Sequence, residues 1–231
     1  MTGSIITVAT LKGGSGKSTL ASCLAVHWQL CGRACTIIDA DPQSSIQRLA
    51  QRGQTLGAVR VVDDATENAS LTAKSLAANG SPVIIDTPGF RSPTTLACLA
   101  TADFVLVPVK PSPLDVDRMV DTLNLLLSQA TGRTASFRCV LTQTTRDSII
   151  AKHVRSELVD AGFPVLEQEM TNRVIYPEAA LWGATPSMMD PSGSAAREIA
   201  AIASEVDRLL DRKQAGGHEK EKPPQSHDHF A

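Results

Sequence analysis

The chain has 231 residues, 42% of them apolar, 20% charged and 3% aromatic, with a formal net charge of −2. This composition excludes a disordered chain and a domain that is basic throughout, and it calls for a core of Val, Ile, Leu and Ala. The length suits one large domain better than two small ones.

Short β-branched runs alternate with helical patterns along most of the chain. Residues 5–10 read as a first strand, followed by a glycine-rich turn and a helix over 18–30 that Gly32 ends. A strand at 34–39, a short helix at 45–52, a strand at 59–63 and a helix through 71–78 come next, with Asn79-Gly80 as the stop signal. Val83-Ile84-Ile85-Asp86 is an apolar strand ending in a carboxylate, and Ser92-Pro93 opens a helix with an N-cap and a proline at its first position. Strands at 104–109 and 138–142 are separated by a helix containing 119–127, and helices are expected near 148–160 and 194–210. Buried strands separated by helices predict an α/β fold, a doubly wound, mostly parallel sheet with helices on both faces.

Residues 1–212 are read as a single domain and 213–231 as a disordered polar tail carrying Gly216-Gly217, Pro223-Pro224 and three histidines. Cys23, Cys31, Cys35, Cys98 and Cys139 include no Cys-x-x-Cys pair and read as reduced core thiols. The chain shows no signal-peptide pattern and no apolar run near the roughly 20 residues of a membrane span, so a cytoplasmic protein is expected.

The segment Lys12-Gly13-Gly14-Ser15-Gly16-Lys17-Ser18-Thr19 lies between a predicted strand and a predicted helix. Its glycines let the backbone turn tightly and aim several N–H groups at one anion, and the helix start adds unpaired donors. In such a loop Lys17 supplies a point charge to the β- and γ-phosphates of a nucleotide and Ser18 a hydroxyl to Mg²⁺. Thr19 is placed to contact the α-phosphate. The common phosphate-loop pattern has glycine where this chain has Leu11.

With Lys12 directly ahead of the paired glycines, the segment resembles the deviant Walker A loop of the ParA/MinD family of P-loop ATPases. Within that family it is most similar to the small plasmid-partition ParA proteins of the ParF type. The resemblance implies that Lys12 crosses a dimer interface to the phosphates of the partner's ATP and neutralises charge as the γ-phosphate departs. Dimerisation and nucleotide state then become one coupled event.

Asp39-Ala40-Asp41-Pro42-Gln43 follows the second strand, at the sheet edge where ligands of α/β folds bind. It can be read as a polar turn, but it also resembles a hallmark of the same family. By that resemblance Asp41 orients the attacking water, and Asp39 helps hold the Mg²⁺ shell and the loop. Residues 83–86 have the Walker B pattern, with Asp86 as the Mg²⁺ ligand, acting through a water because Mg²⁺ dehydrates reluctantly. Thr87-Pro88-Gly89 makes a turn suited to sensing the γ-phosphate. Residues 107–115 are either a rigid proline turn or, by resemblance to ParF-like proteins, a loop that puts Pro111 near the nucleotide and the dimer interface. Thr142 and Gln143, at the end of the following strand, are candidates for the adenine edge.

The resemblance covers residues 4 to about 210. It implies a partition switch in which ATP and Mg²⁺ close a homodimer and the dimer binds nucleoid DNA without sequence preference. A ParB-like partner then stimulates slow hydrolysis. The cargo can be a plasmid, a chromosome or another complex. Nothing precedes the first strand that could form a helix-turn-helix domain, so operator recognition is not expected. Arg146, Lys152, Arg155, Arg173 and Arg197 are candidate DNA contacts. Acidic neighbours dilute them into no readable stripe, so DNA binding rests on the resemblance.

A MinD-like membrane switch needs an apolar helical stripe that residues 216–225 lack. An ATP-dependent ligase of the dethiobiotin synthetase type shares the loop and fold but leaves Asp-x-Asp-Pro-Gln unexplained. Cys98 lies in an apolar stretch, which argues against a reductase like nitrogenase iron protein. Tyr176, the sole tyrosine, argues against the superfamily's tyrosine kinases.

Overall fold

The computed structural model describes residues 2–10, 13–89, 91–112, 120, 123 and 136–214. Lys12, most of the helix expected over 119–127, and the tail from 215 onward lie outside the described residues. Val120 and Leu123 are helical, and Leu123 is fully buried.

The apolar runs form the strands β1 (Ile5–Val8), β2 (Thr36–Asp39), β3 (Arg60–Asp63), β4 (Val83–Asp86), β5 (Phe104–Val109), β6 (Ser136–Thr144) and β7 (Met170–Thr171). They lie side by side in one sheet in the order β3-β2-β4-β1-β5-β6-β7, and each of these pairings is parallel. The helices are α1 (Lys17–Leu30), α2 (Ser45–Ala50), α3 (Ala69–Ala77), α4 (Pro93–Thr101), α5 (Ile149–Asp160), α6 (Ile175–Leu181), α7 (Pro186–Met189) and α8 (Ser194–Gln214).

Alternation along the strands sends neighbouring side chains to opposite faces. Ile6, Val8, Ile37, Ile84, Leu106 and Val140 meet Leu20 and Leu24 of α1 and Ile199 and Val206 of α8 on one face. On the other, Ile5, Ile38, Val83 and Ile85 meet Ala73 of α3 and Cys98 of α4, while Val105, Val107 and Leu141 meet Val154 and Leu158 of α5. With both faces covered, the central strands β1, β4 and β5 are buried throughout, which explains their apolar runs. Helix α1 packs with α8 in the first of these cores and is buried along most of its length, so it carries little amphipathic signal.

Several boundaries differ from expectation. Strand β1 stops at Val8, and α8 continues to Gln214, past the expected boundary at 212, with Lys213 Nζ donating to the Asp103 carbonyl at 2.6 Å. The 3-10 turn at Thr55–Ala58, the two-residue β7, and helices α6 and α7 had no counterpart in the sequence reading. These elements are too short to show a period, and Pro177 in the first turn of α6 and Pro186 at the start of α7 read as loop signals although both positions tolerate proline. Cys23, Cys35, Cys98 and Cys139 are buried free thiols, each pushed up to about 12 by burial, whereas Cys31 is exposed.

Candidate functional site

Strand β1 lies at the switch point of the sheet, since the connection leaving it runs to β2 on one side while the connection leaving its neighbour β5 runs to β6 on the other. A crevice opens at the C-terminal ends of strands at such a point. The glycine loop fills it. Gly14 (φ 75°) and Gly16 (φ 87°) adopt the left-handed conformation that a side chain disfavours, and Gly16 is the N-cap of α1. No side chain caps α1, and no acidic residue occupies its first turn. By contrast, α4 and α5 are capped by the hydroxyls of Ser92 and Ser148. The amides at the head of α1, like those of α3, α6 and α7, have no capping side chain, and with the glycine loop around them they can receive an anion.

Lys17 is 7% exposed and lies beneath the loop. A Cβ on Gly89 would stand 3.2 Å from Lys17 Nζ and 3.4 Å from Gly13 Cα. The Thr87-Pro88-Gly89 turn therefore rests directly against the phosphate loop, and Gly89 is the residue that allows so close an approach. Thr87 is fully buried, its hydroxyl donating to the Val8 carbonyl at 3.0 Å, which ties the turn to the end of β1.

Strand register puts Asp39 opposite Asp86 across β2 and β4, and Val8 opposite Asp86 across β1 and β4. Both carboxylates are fully buried. Asp86 Oδ2 accepts a 2.6 Å bond from Ser18 Oγ, while Oδ1 has no hydrogen-bond partner among the described residues. Burial pushes the Asp86 carboxyl up to about 7; the Ser18 bond and nearby Lys17 oppose this, and neighbouring Asp39 and Asp41 add to it. A buried carboxylate oxygen without a partner, beside a hydroxyl at the head of the phosphate loop, fits a Mg²⁺ ion with its hard-oxygen preference. Among the described residues no group of three or more His, Cys, Asp or Glu side chains forms a metal cage. Such an ion would take its remaining ligands from phosphates and water.

Asp39 has a different environment. Its Oδ2 accepts from the backbone N–H groups of Ile46 and Gln47, at 2.9 Å each, and so caps α2 from seven residues away. The Asp41 N–H lies 3.4 Å from Oδ1. Burial raises the Asp39 carboxyl despite these bonds. Asp41 is half-buried and accepts from the Gln43 N–H at 2.9 Å, and Ser44 takes the left-handed conformation with φ 45°.

At the end of β6, Thr142 Oγ1 donates to the Ser15 carbonyl at 2.7 Å and Gln143 Nε2 to the Gly14 carbonyl at 2.6 Å. Both adenine candidates therefore touch the phosphate loop itself, a contact the spacing in sequence did not reveal. Pro111 is partly buried, two residues beyond β5, and 113–115 lie outside the described residues. Of the basic candidates, Arg173 is paired with Glu198 at 2.6 Å, Arg155 donates to the Leu166 carbonyl at 2.5 Å, and Arg197 donates to the Ser192 carbonyl. Arg146 and Lys152 are exposed beyond the end of β6. The long helix α8 turns its apolar side into the core, and among the described residues no helix is long and apolar enough to cross a membrane.

Residues 6–185 match the family model of the CobQ/CobB/MinD/ParA nucleotide-binding domain. The chain belongs to this family. A maintenance of carboxysome distribution protein A from Halothiobacillus neapolitanus is 30% identical over 210 residues, covering 87% of this chain and 95% of the relative. Protein ParA from Rhizobium radiobacter is 27% identical over 201 residues, 84% of this chain and 90% of the relative. The solved structure of the septum site-determining protein MinD from Pyrococcus horikoshii, complexed with Mg-ADP, superimposes with a TM-score of 0.70 at 18% identity, covering 91% of this chain and 98% of MinD. The shared fold is thus that of the ParA/MinD nucleotide-binding proteins, and the glycine loop of this chain falls within the matched residues.

Proposed function

We propose that this chain is an ATP-switched partition or positioning ATPase. It binds ATP with Mg²⁺, closes into a homodimer, holds nucleoid DNA without sequence preference in that state, and lets go after a ParB-like partner stimulates hydrolysis. The observation that carries the nucleotide part is the buried Asp86 Oδ1, without a partner among the described residues, beside Ser18 Oγ at the head of α1. When bound, Mg²⁺ would supply charge neutralisation at the nucleotide phosphates.

In this reading Lys17 and the loop amides hold the phosphates, Ser18 and Asp86 hold the ion, and Thr19 meets the α-phosphate. Asp39 fixes the start of α2, so that Asp41 stands at a constant height above the sheet to orient water. Lys12 reaches the partner's nucleotide. Near full-length similarity to ParA and carboxysome-distribution proteins supports a switch over a ligase. The cargo is DNA or, as for the carboxysome-distribution relatives, a large assembly.

A second reading, an ATP-dependent ligase acting on a small molecule, has one observation in its favour. The ADP and magnesium complex of cobyrinic acid a,c-diamide synthase from Mycobacterium smegmatis shares the fold at a TM-score of 0.61 and 19% identity. An electrophoretic shift on random-sequence DNA, run with ATP, ADP and a non-hydrolysable analogue, separates the two. A switch retards DNA with ATP or the analogue and releases it with ADP. Absence of any shift, together with ATP turnover that requires an organic acid, would favour the ligase.

A further inference from the structure

In a trans peptide unit the carbonyl of one residue and the N–H of the next point in opposite directions on a rigid plane. The Gly14 carbonyl shares its plane with the Ser15 N–H, and the Ser15 carbonyl with the Gly16 N–H. Both carbonyls are held from the β6 side, by Gln143 Nε2 at 2.6 Å and Thr142 Oγ1 at 2.7 Å. Holding them there turns the Ser15 and Gly16 N–H groups away from β6. We propose that Thr142 and Gln143 are positioning residues that aim two phosphate-binding amides of the loop by fixing the carbonyls of the same peptide units.

The end of β6 is shaped for this task. Consecutive side chains on a regular strand leave on opposite faces, so Thr142 and Gln143 would not ordinarily reach the same loop. Here the β6–β7 register shifts between Thr142 and Thr144, and Gln143 takes φ +53°, a left-handed conformation unusual for a residue with a side chain. The irregularity brings both side chains to the loop. Local distortions of this kind persist where the surroundings impose them, and they concentrate at functional sites. Thr142 is 1% exposed, and a Cβ on Gly16 would lie 3.8 Å from both Gln143 Nε2 and Thr142 Cβ, so the brace is packed against the loop.

The proposal rests on the reading that this loop holds nucleotide phosphates, and the test separates the two. Equilibrium binding of Mg-ATP, Mg-GTP and magnesium tripolyphosphate is measured for the unaltered chain, Thr142→Val, Thr142→Ser and Gln143→Met. The brace predicts that Thr142→Val and Gln143→Met each weaken all three ligands by a similar factor, about tenfold, and that Thr142→Ser, which keeps the hydroxyl, restores binding. It also predicts that the downfield shift of the Ser15 and Gly16 amide protons on adding tripolyphosphate shrinks in Thr142→Val. Loss confined to ATP, with tripolyphosphate unaffected, assigns the pair to the base and overturns the brace, as does unchanged binding in both variants. If the unaltered chain binds neither ATP nor tripolyphosphate, the nucleotide reading fails and takes the brace with it.

Discussion

In the proposed site, burial would make Asp86 a conditional metal ligand. Its carboxyl is raised to about 7 from an ordinary value of 3.8. Between those values the native state holds a proton that the unfolded chain has released. The group's contribution to stability is therefore fully present below the lower value and lost as pH rises through the upper one. Asp39 is shifted in the same direction by its burial. Urea unfolding of the nucleotide-free chain is expected to show lower stability at pH 8 than at pH 5, and Asp86→Asn to flatten that slope; an unaltered slope in the variant would contradict the assignment. Mg²⁺ binds the ionised form, so Mg-ATP affinity should fall as pH drops below about 7, approaching tenfold per pH unit. Lys17→Ala removes the buried charge under the loop, and isothermal titration should find ATP binding abolished.

At the scale of elements, α8 is fastened to the rest by several polar contacts as well as by its apolar face, among them the cluster around Asp207. Asp207 accepts from Arg33 Nη1 at 2.6 Å and Trp28 Nε1 at 3.2 Å, while the Arg33 guanidinium lies 5.0 Å above the Trp28 ring. Both charged partners are about a third or more exposed, which screens the pair. Asp207→Ala is expected to cost about 1 kcal/mol in chemical denaturation. A more severe effect is expected after α6, where Gly183 (φ +65°) packs against Arg52 so closely that a Cβ would stand 2.9 Å from its backbone carbonyl carbon and oxygen. Gly183→Ala combines that clash with an unfavourable φ, and a loss of about 2–3 kcal/mol should appear in the same assay.

For the molecule as a whole, the proposed switch makes assembly state the readout of nucleotide state. Light scattering coupled to size exclusion should find Asp41→Ala locked as a dimer with ATP, because the nucleotide is held but water is no longer oriented. Lys12→Ala should stay monomeric under the same conditions, and a normal ATP-dependent dimer in that variant would contradict the cross-dimer role. Any DNA surface has to be assembled from sparse charge, since Arg155, Arg173 and Arg197 already hold internal partners. Arg146, 3.7 Å from the exposed Asp147 carboxylate, and Lys152 are exposed, and neutralising both should weaken DNA retardation and reduce its dependence on salt.

The glycine loop, the Asp39–Asp41 segment and the Asp86 strand were legible as a linear text because their chemistry is local. A tight turn demands glycine, a buried strand demands aliphatic residues, and a carboxylate at its exit stands out against them. For the same reason the parallel doubly wound sheet could be read from the unbroken apolar runs. What the chain order could not tell is which side chains meet across strands. That Asp39 holds the start of α2, that Gly89 lies against Lys17, and that Thr142 and Gln143 grip the phosphate loop from 127 and 129 residues away are consequences of register and of an irregularity in β6. Such contacts depend on the spacing of strands in space and leave no period in the sequence, so tertiary structure alone decides them.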